Sequence, residues 1–121
     1  MSLESWKSEF YPVDASECGK SHREQIEHSL RKWRGATKEN AAKHGCFYEG
    51  RRINSEHYEK DNPFHFGVES CSLCFNNSSC RTCPVVLSGF QPCESFESEY
   101  EMSAYDPSPM IAVLEYLLEQ Y

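Results

Sequence analysis

Five of the seven cysteines fall within residues 71–93, in the order Cys71-x2-Cys74-x5-Cys80-x2-Cys83-Pro84-x8-Cys93. A Cys-x2-Cys turn lets two thiolates and the amides that follow them face one cation, so two such turns in succession point to a tetrahedral zinc site. The intervening Phe75-Asn76-Asn77-Ser78-Ser79 is rich in turn formers and can fold one pair toward the other. This loop is shorter than that of an ordinary zinc ribbon. Five thiols also exceed what a four-coordinate ion takes. Cys71 and Cys74 form one pair, completed by two of Cys80, Cys83 and Cys93, with the choice open. We expect a structural Zn2+, because an all-thiolate shell leaves no position for a reactive water. An iron–sulfur cluster is the alternative, since Cys83-Pro84 has the form that closes bacterial ferredoxin runs, although the upstream spacing differs. Redox or unliganded thiols come third, and thioredoxin-type chemistry would need a βαβ context that the pattern lacks.

Other reactive side chains are weaker candidates. His57 and His65 flank a turn at Asn62-Pro63 and could serve a metal-dependent nuclease, against the plainer reading of surface or hydrogen-bonded histidines. His22 and His28 stand six apart on one expected helix and so face different ways. His44-Gly45-Cys46 sets an imidazole beside a thiol, but no third group that would orient the pair is identifiable. Phosphate-binding loops, dinucleotide fingerprints and nucleophile elbows are absent from the sequence. No catalytic residue is assigned, and the reading is not that of an enzyme.

Charge separates along the chain. Residues 1–81 hold all 12 Lys and Arg and balance to zero, while residues 82–121 hold seven acids, no base and the whole net charge of −7. Within the first part, residues 20–52 are locally basic. Arg23, Arg31, Lys32 and Arg34 are the residues that would contact phosphate if the protein were a small DNA- or RNA-binding regulator. The plainer alternative is a solvated helix face, since the acidic part would repel a polyanion. The acidic part offers Glu94, Glu97, Glu99 and Glu101 as a surface for a basic partner, in the manner of a partial DNA mimic.

These groups need elements to position them. Residues 1–19 read as irregular or extended, with Trp6, Phe10 and Tyr11 as packing anchors and Pro12 blocking a helix. Ser21-His22-Arg23-Glu24 has the form of a capping box, and Ile26, Leu30 and Trp33 then recur on one helical stripe that Gly35 can end. Thr37 can cap a second short helix that ends near Gly45, which makes residues 20–45 a helical hairpin or corner. Residues 46–70 are mixed, with a short strand at Phe64-His65-Phe66. Ser108 and Pro109 open a C-terminal helix over 108–121, as cap and first helical residue. Its stripe runs through Met110, Val113, Leu114, Leu117, Leu118 and Tyr121. The plain reading of this stripe is core packing; Ile111 and Tyr116, which widen the apolar face, offer a dimer or partner surface as the alternative.

The whole fits one α+β domain over residues 1–121, mostly helical. An aromatic content of 13% argues against disorder, and no apolar run approaches the ~20 residues that would cross a bilayer. The N-terminus, MSLESWKSEFYP, is acidic and broken by polar residues, unlike a secretory leader. A reducing, intracellular setting follows as the expectation, in which Cys18 and Cys46 are ordinary thiols.

Three stretches together resemble a known group. His28-Ser29-Leu30-Arg31-Lys32-Trp33, the run from Ser70-Cys71-Ser72-Leu73-Cys74 through Cys80-x2-Cys83-Pro84 to Cys93, and Asp106-Pro107-Ser108-Pro109-Met110-Ile111 are similar to small cysteine-rich proteins of phages and prophages, of uncharacterised function. The resemblance implies a virus-encoded accessory protein acting in the host bacterial cytoplasm. It brings no catalytic residue with it. By analogy, such a protein engages a host or defence protein.

Overall fold

A computed structural model describes residues 3–19, 21–55, 63–66, 73 and 99–121. In chain order its elements are α1 (Leu3–Phe10), α2 (His22–Arg34), α3 (Lys38–Ala42), β1 (Cys46–Glu49), β2 (Arg52–Ser55), β3 (Phe64–His65), α4 (Glu99–Met102) and α5 (Ser108–Gln120). The architecture is a small α+β domain with a three-stranded antiparallel sheet, ordered β1-β2-β3.

The N-terminal segment is a correction. Leu3, Trp6 and Phe10 lie at helical spacing and are all buried, so packing holds the segment as α1 where its polar composition hides the pattern. Pro12 falls beyond the helix and does not oppose it. α2 starts at the expected cap, Ser21, whose Oγ accepts from the Glu24 amide at 3.1 Å; the Glu24 carboxylate accepts from that hydroxyl at 2.9 Å, where a full capping box would have it accept from the Ser21 amide. Ile26, Leu30 and Trp33 are buried as expected. Gln25, Ser29 and Lys32 are buried as well, giving α2 a second, polar inward stripe at the same i, i+4, i+7 spacing. Thr37 caps α3, its hydroxyl accepting from the Asn40 amide at 3.3 Å.

The hairpin of β1 and β2 is absent from the sequence reading. Glu49 pairs with Arg52, and the two residues between them, Gly50 and Arg51, have φ of 60° and 59°. Two consecutive left-handed residues make the turn whose twist matches the strands it joins. An arginine in the second place is what conceals it. Its conformation is held by neighbours: the Arg51 amide donates to the Ala104 carbonyl, and the Arg51 carbonyl accepts from the Phe66 amide. Pairing of Tyr48 with Ile53 and of Ile53 with Phe64 puts these three on the inner face of the sheet. Phe47, Glu49, Arg52 and His65 take the outer one.

Aromatic rings fill the centre. Trp33 meets Phe66 edge-on at 4.8 Å, and Trp6 lies 5.2 Å from Phe64. α5 closes this core with Met110, Val113, Leu114 and Leu117, packed against α2. Leu118 is half-buried and Tyr121 exposed, so the predicted stripe frays at its end. The start of α5 also differs from expectation. Ser108 is already helical and Pro107 stands at the cap position without a side-chain bond. Asp106 Oδ1 instead accepts from the Ser108 amide at 3.0 Å, and Ser103 Oγ from the Met110 amide at 3.1 Å. Pro109 has no amide to satisfy, so the first turn is fully provided for.

Candidate functional site

The cysteine cluster Cys71, Cys74, Cys80, Cys83 and Cys93 lies outside the described residues, as do His57, Glu94 and Glu97. One residue of the cluster's first turn is described. Leu73, third in Cys71-Ser72-Leu73-Cys74, is 2% exposed and belongs to the same core as Trp6, Trp33 and Phe66. Among the described residues, no group of three metal-ligating side chains is gathered. His65 is exposed on the outer face of the sheet opposite Arg52.

The fold divides the basic candidates: Arg23, Arg31 and Arg34 stay on the outer face of α2, and Lys32 turns inward. Lys32 is 1% exposed, its ammonium 5.0 Å from the centre of the Phe66 ring, so it does not reach phosphate. Its place in the buried stripe of α2 is the physical reason. Arg23 pairs with Glu27 at 3.0 Å on the helix surface. Arg31 donates to the Glu9 carbonyl at 2.6 Å. Arg34 is exposed. The outer face of α2 is a mixture of Arg23, Glu24, Glu27, Arg31 and Arg34 rather than one positive stripe.

A linked set of polar groups joins α1 to the turn after α3. Ser5 Oγ lies 2.9 Å from His44 Nδ1, and His44 Nε2 lies 2.7 Å from Glu9 Oε1. A carboxylate accepts only, so the imidazole donates to Glu9 through Nε2 and accepts the Ser5 hydroxyl proton at Nδ1 when neutral. Lys43 completes the set, with Nζ 3.2 Å from Glu9 Oε2. The hydrogen bond from His44 is the main cause that holds the Glu9 carboxyl below its ordinary range. Hydroxyl, imidazole and carboxylate make the composition of a nucleophilic relay. The adjoining groove, however, is lined by Glu9, Phe10 and Arg31 without Ser5 or His44, so an occupant would meet the carboxylate and not the hydroxyl. The set acts as a strut between elements. It also overturns the thiol-activation idea: the His44 ring is turned to Ser5 and Glu9, while Cys46 Sγ donates to the His44 carbonyl at 3.5 Å.

Family models, curated proteins and solved structures were all compared with the chain, and none matches it. The molecule's own surface must therefore carry the functional reading.

That surface is most distinctive near the C-terminal part. Glu99 and Glu101 fall within α4. Met102, the last residue of α4, is 56% exposed, and Tyr105, in the link from α4 into α5, is 76% exposed. Tyr105, Asp106 and Ser108 border a cleft of about 590 Å³, whose other wall is Lys38, Ala42 and Phe47 from α3 and β1. Apolar Ala42, Phe47 and Pro107 share its lining with polar Thr37, Lys38, Asp106 and Ser108, and a volume of this size can take a side chain. Nothing in the sequence flagged Phe47 and Tyr105 as lining one cleft, since they are far apart in the chain. The outer face of α5 carries Ala112, Glu115, Tyr116 and Glu119. Two carboxylates there disfavour the apolar dimer face considered from Ile111 and Tyr116. Among the described residues, no helix is long and apolar enough to cross a membrane.

Proposed function

We propose that this chain is a non-enzymatic accessory protein of the phage type, which binds a host or defence protein through its acidic C-terminal part. Its cysteine-rich segment folds around a structural zinc ion, held by Cys71 and Cys74 with two of Cys80, Cys83 and Cys93. The observation that carries the reading is the coincidence of charge and exposed apolar groups. Residues 82–121 hold seven acids and no base, and the described part of that stretch exposes Met102, Tyr105 and Tyr116. Exposed aromatic and methionine side chains on a stretch of chain that carries one sign of charge suit a protein partner of opposite charge. The nucleic-acid reading loses support, because Lys32 is buried and Arg23 is paired within its own helix.

Capture with the immobilised, zinc-loaded full chain from bacterial lysate tests the proposal. A stoichiometric protein partner that elutes as salt rises is expected, with capture weakened when Glu94, Glu97, Glu99 and Glu101 are all changed to Gln. Recovery of nucleic acid without protein, or of no partner, overturns it.

A further inference from the structure

Two exposed rings converge on one cavity. Phe47, 39% exposed, projects from the outer face of β1, and Tyr105, 76% exposed, comes from the link between α4 and α5; both line the cleft of about 590 Å³. Beside Tyr105, Asp106 contributes a carboxylate whose Oδ1 accepts from the Ser108 amide at 3.0 Å and from the Ser108 hydroxyl at 2.7 Å. Those two bonds orient the group. They also hold its carboxyl below the ordinary range, so it is ionised at neutral pH. Among the described residues, Oδ2 takes no hydrogen bond.

Aromatic faces attract a cation through their quadrupole, and an oriented carboxylate accepts its N–H groups. We propose that this cleft is the docking pocket for an arginine side chain of a partner protein, stacked on Tyr105 and Phe47 and hydrogen-bonded to Asp106. Lys38 on the opposite wall opposes a cation, so the balance of charge has to be decided. Its neighbour Glu39 is also exposed and offsets it. The chain section that supplies Tyr105 and Asp106 contains no base at all, and the net charge of −7 draws cations from a distance. Arginine fits better than lysine because its planar guanidinium stacks on the rings while its edge donates to Asp106 Oδ2. The inference rests on the proposed function, whose partner's contacting group it names.

Titration of the isotopically labelled full chain with acetyl-Gly-Ser-Arg-Ser-Gly-amide at low ionic strength tests it by NMR. Amide shifts are expected at Phe47, Tyr105 and Asp106, and none with the same peptide carrying citrulline or glutamate. Affinity should fall at least threefold in Asp106→Asn and in Tyr105→Ala, and rise in Lys38→Glu. Tyr105 is largely in solvent, so its truncation leaves the fold standing, which the unshifted core amides would verify. The absence of shifts at these residues, equal binding of citrulline or glutamate, or weaker binding in Lys38→Glu overturns the proposal. Intact capture of a protein partner by Asp106→Asn and Tyr105→Ala would sink the pocket alone. Arginine binding in a chain that captures no protein would sink the proposed function alone.

Discussion

The indole N–H of Trp6 donates to the Gly35 carbonyl at 2.9 Å, joining α1 to the link between α2 and α3. Phe10, one turn beyond Trp6, lies against the same glycine: a Cβ built on Gly35 would come within 2.5 Å of Phe10 Cγ. Gly35 itself has φ of −66°, an ordinary right-handed value, so its requirement is space and not backbone freedom. Gly35→Ala is therefore expected to destabilise by about 1–3 kcal/mol through overpacking. Urea unfolding checks this, and Phe10→Leu in the same background should recover part of the loss.

A second close relationship governs the last helix. Ser103 is fully buried, and its hydroxyl supplies the bond that the Met110 amide lacks inside α5. Ser103→Ala leaves a buried donor unpaired and should cost about 1–2 kcal/mol. The measurement is the urea midpoint at unchanged slope. Asp106→Asn retains an acceptor at the exposed end of the same turn and should cost less. If both variants cost the same, the helix start is held by packing rather than by these bonds.

Much of this fold was legible in local pattern, and its failures have physical causes. Ser21, Glu24, Ile26, Leu30 and Trp33 announced α2 because cap and stripe agree. α1 escaped notice because Pro12 and a polar composition outweighed three buried residues at helical spacing. The β1–β2 hairpin was hidden by Arg51, which tolerates a left-handed conformation only with the help of Ala104 and Phe66. Lys32 was misplaced for a similar reason: a polar residue type conceals an inward position. As for the site, the sequence supplied the acids and the lack of bases, whereas the cleft that Phe47 and Tyr105 both line depends on tertiary packing that no local signal encodes.

Acid stability follows from the carboxylates. The hydrogen bond from His44 lowers Glu9 most, while backbone and side-chain bonds from Ser16 lower Asp14 and those from Ser108 lower Asp106. A folded-state value below the unfolded one means that the stabilisation is complete above the unfolded value, about 4 for these groups. It is lost as pH falls through the lower folded values. The urea midpoint should therefore hold from pH 7 to about 5 and decline below about 4. Glu9→Gln should flatten that decline. A midpoint that drops mainly between pH 7 and 5 would show that other groups govern acid unfolding.

The two cysteines outside the cluster should differ from each other. Cys46 is 2% exposed within the core, whereas Cys18 is half-buried beside Gly19. Cys46→Ser is expected to cost about 1–3 kcal/mol by burying a hydroxyl where a thiol packed. Cys18→Ser should stay within about 0.5 kcal/mol. Thermal unfolding of the zinc-loaded protein separates them. Comparable losses would mean that Cys18 holds a contact as demanding as a core position.

Metal removal should reach further than the cysteine-rich segment. Leu73 sits between Cys71 and Cys74 in sequence and packs in the core that holds Trp6 and Trp33. If thiolate binding energy folds that turn, losing the ion withdraws Leu73 from the core, at a cost of about 2–5 kcal/mol by analogy with truncating a buried leucine. Chelation is then expected to shift tryptophan fluorescence and to loosen α2 against α5, and added Zn2+ to reverse both. The loaded protein should be colourless and carry one zinc. Cys71→Ser and Cys74→Ser should abolish the response, while Leu73→Ala should lower stability yet keep the metal. A chelated protein with unchanged tryptophan emission and protease resistance would mean that Leu73 is anchored without any ion, and a brown protein would replace zinc with iron–sulfur.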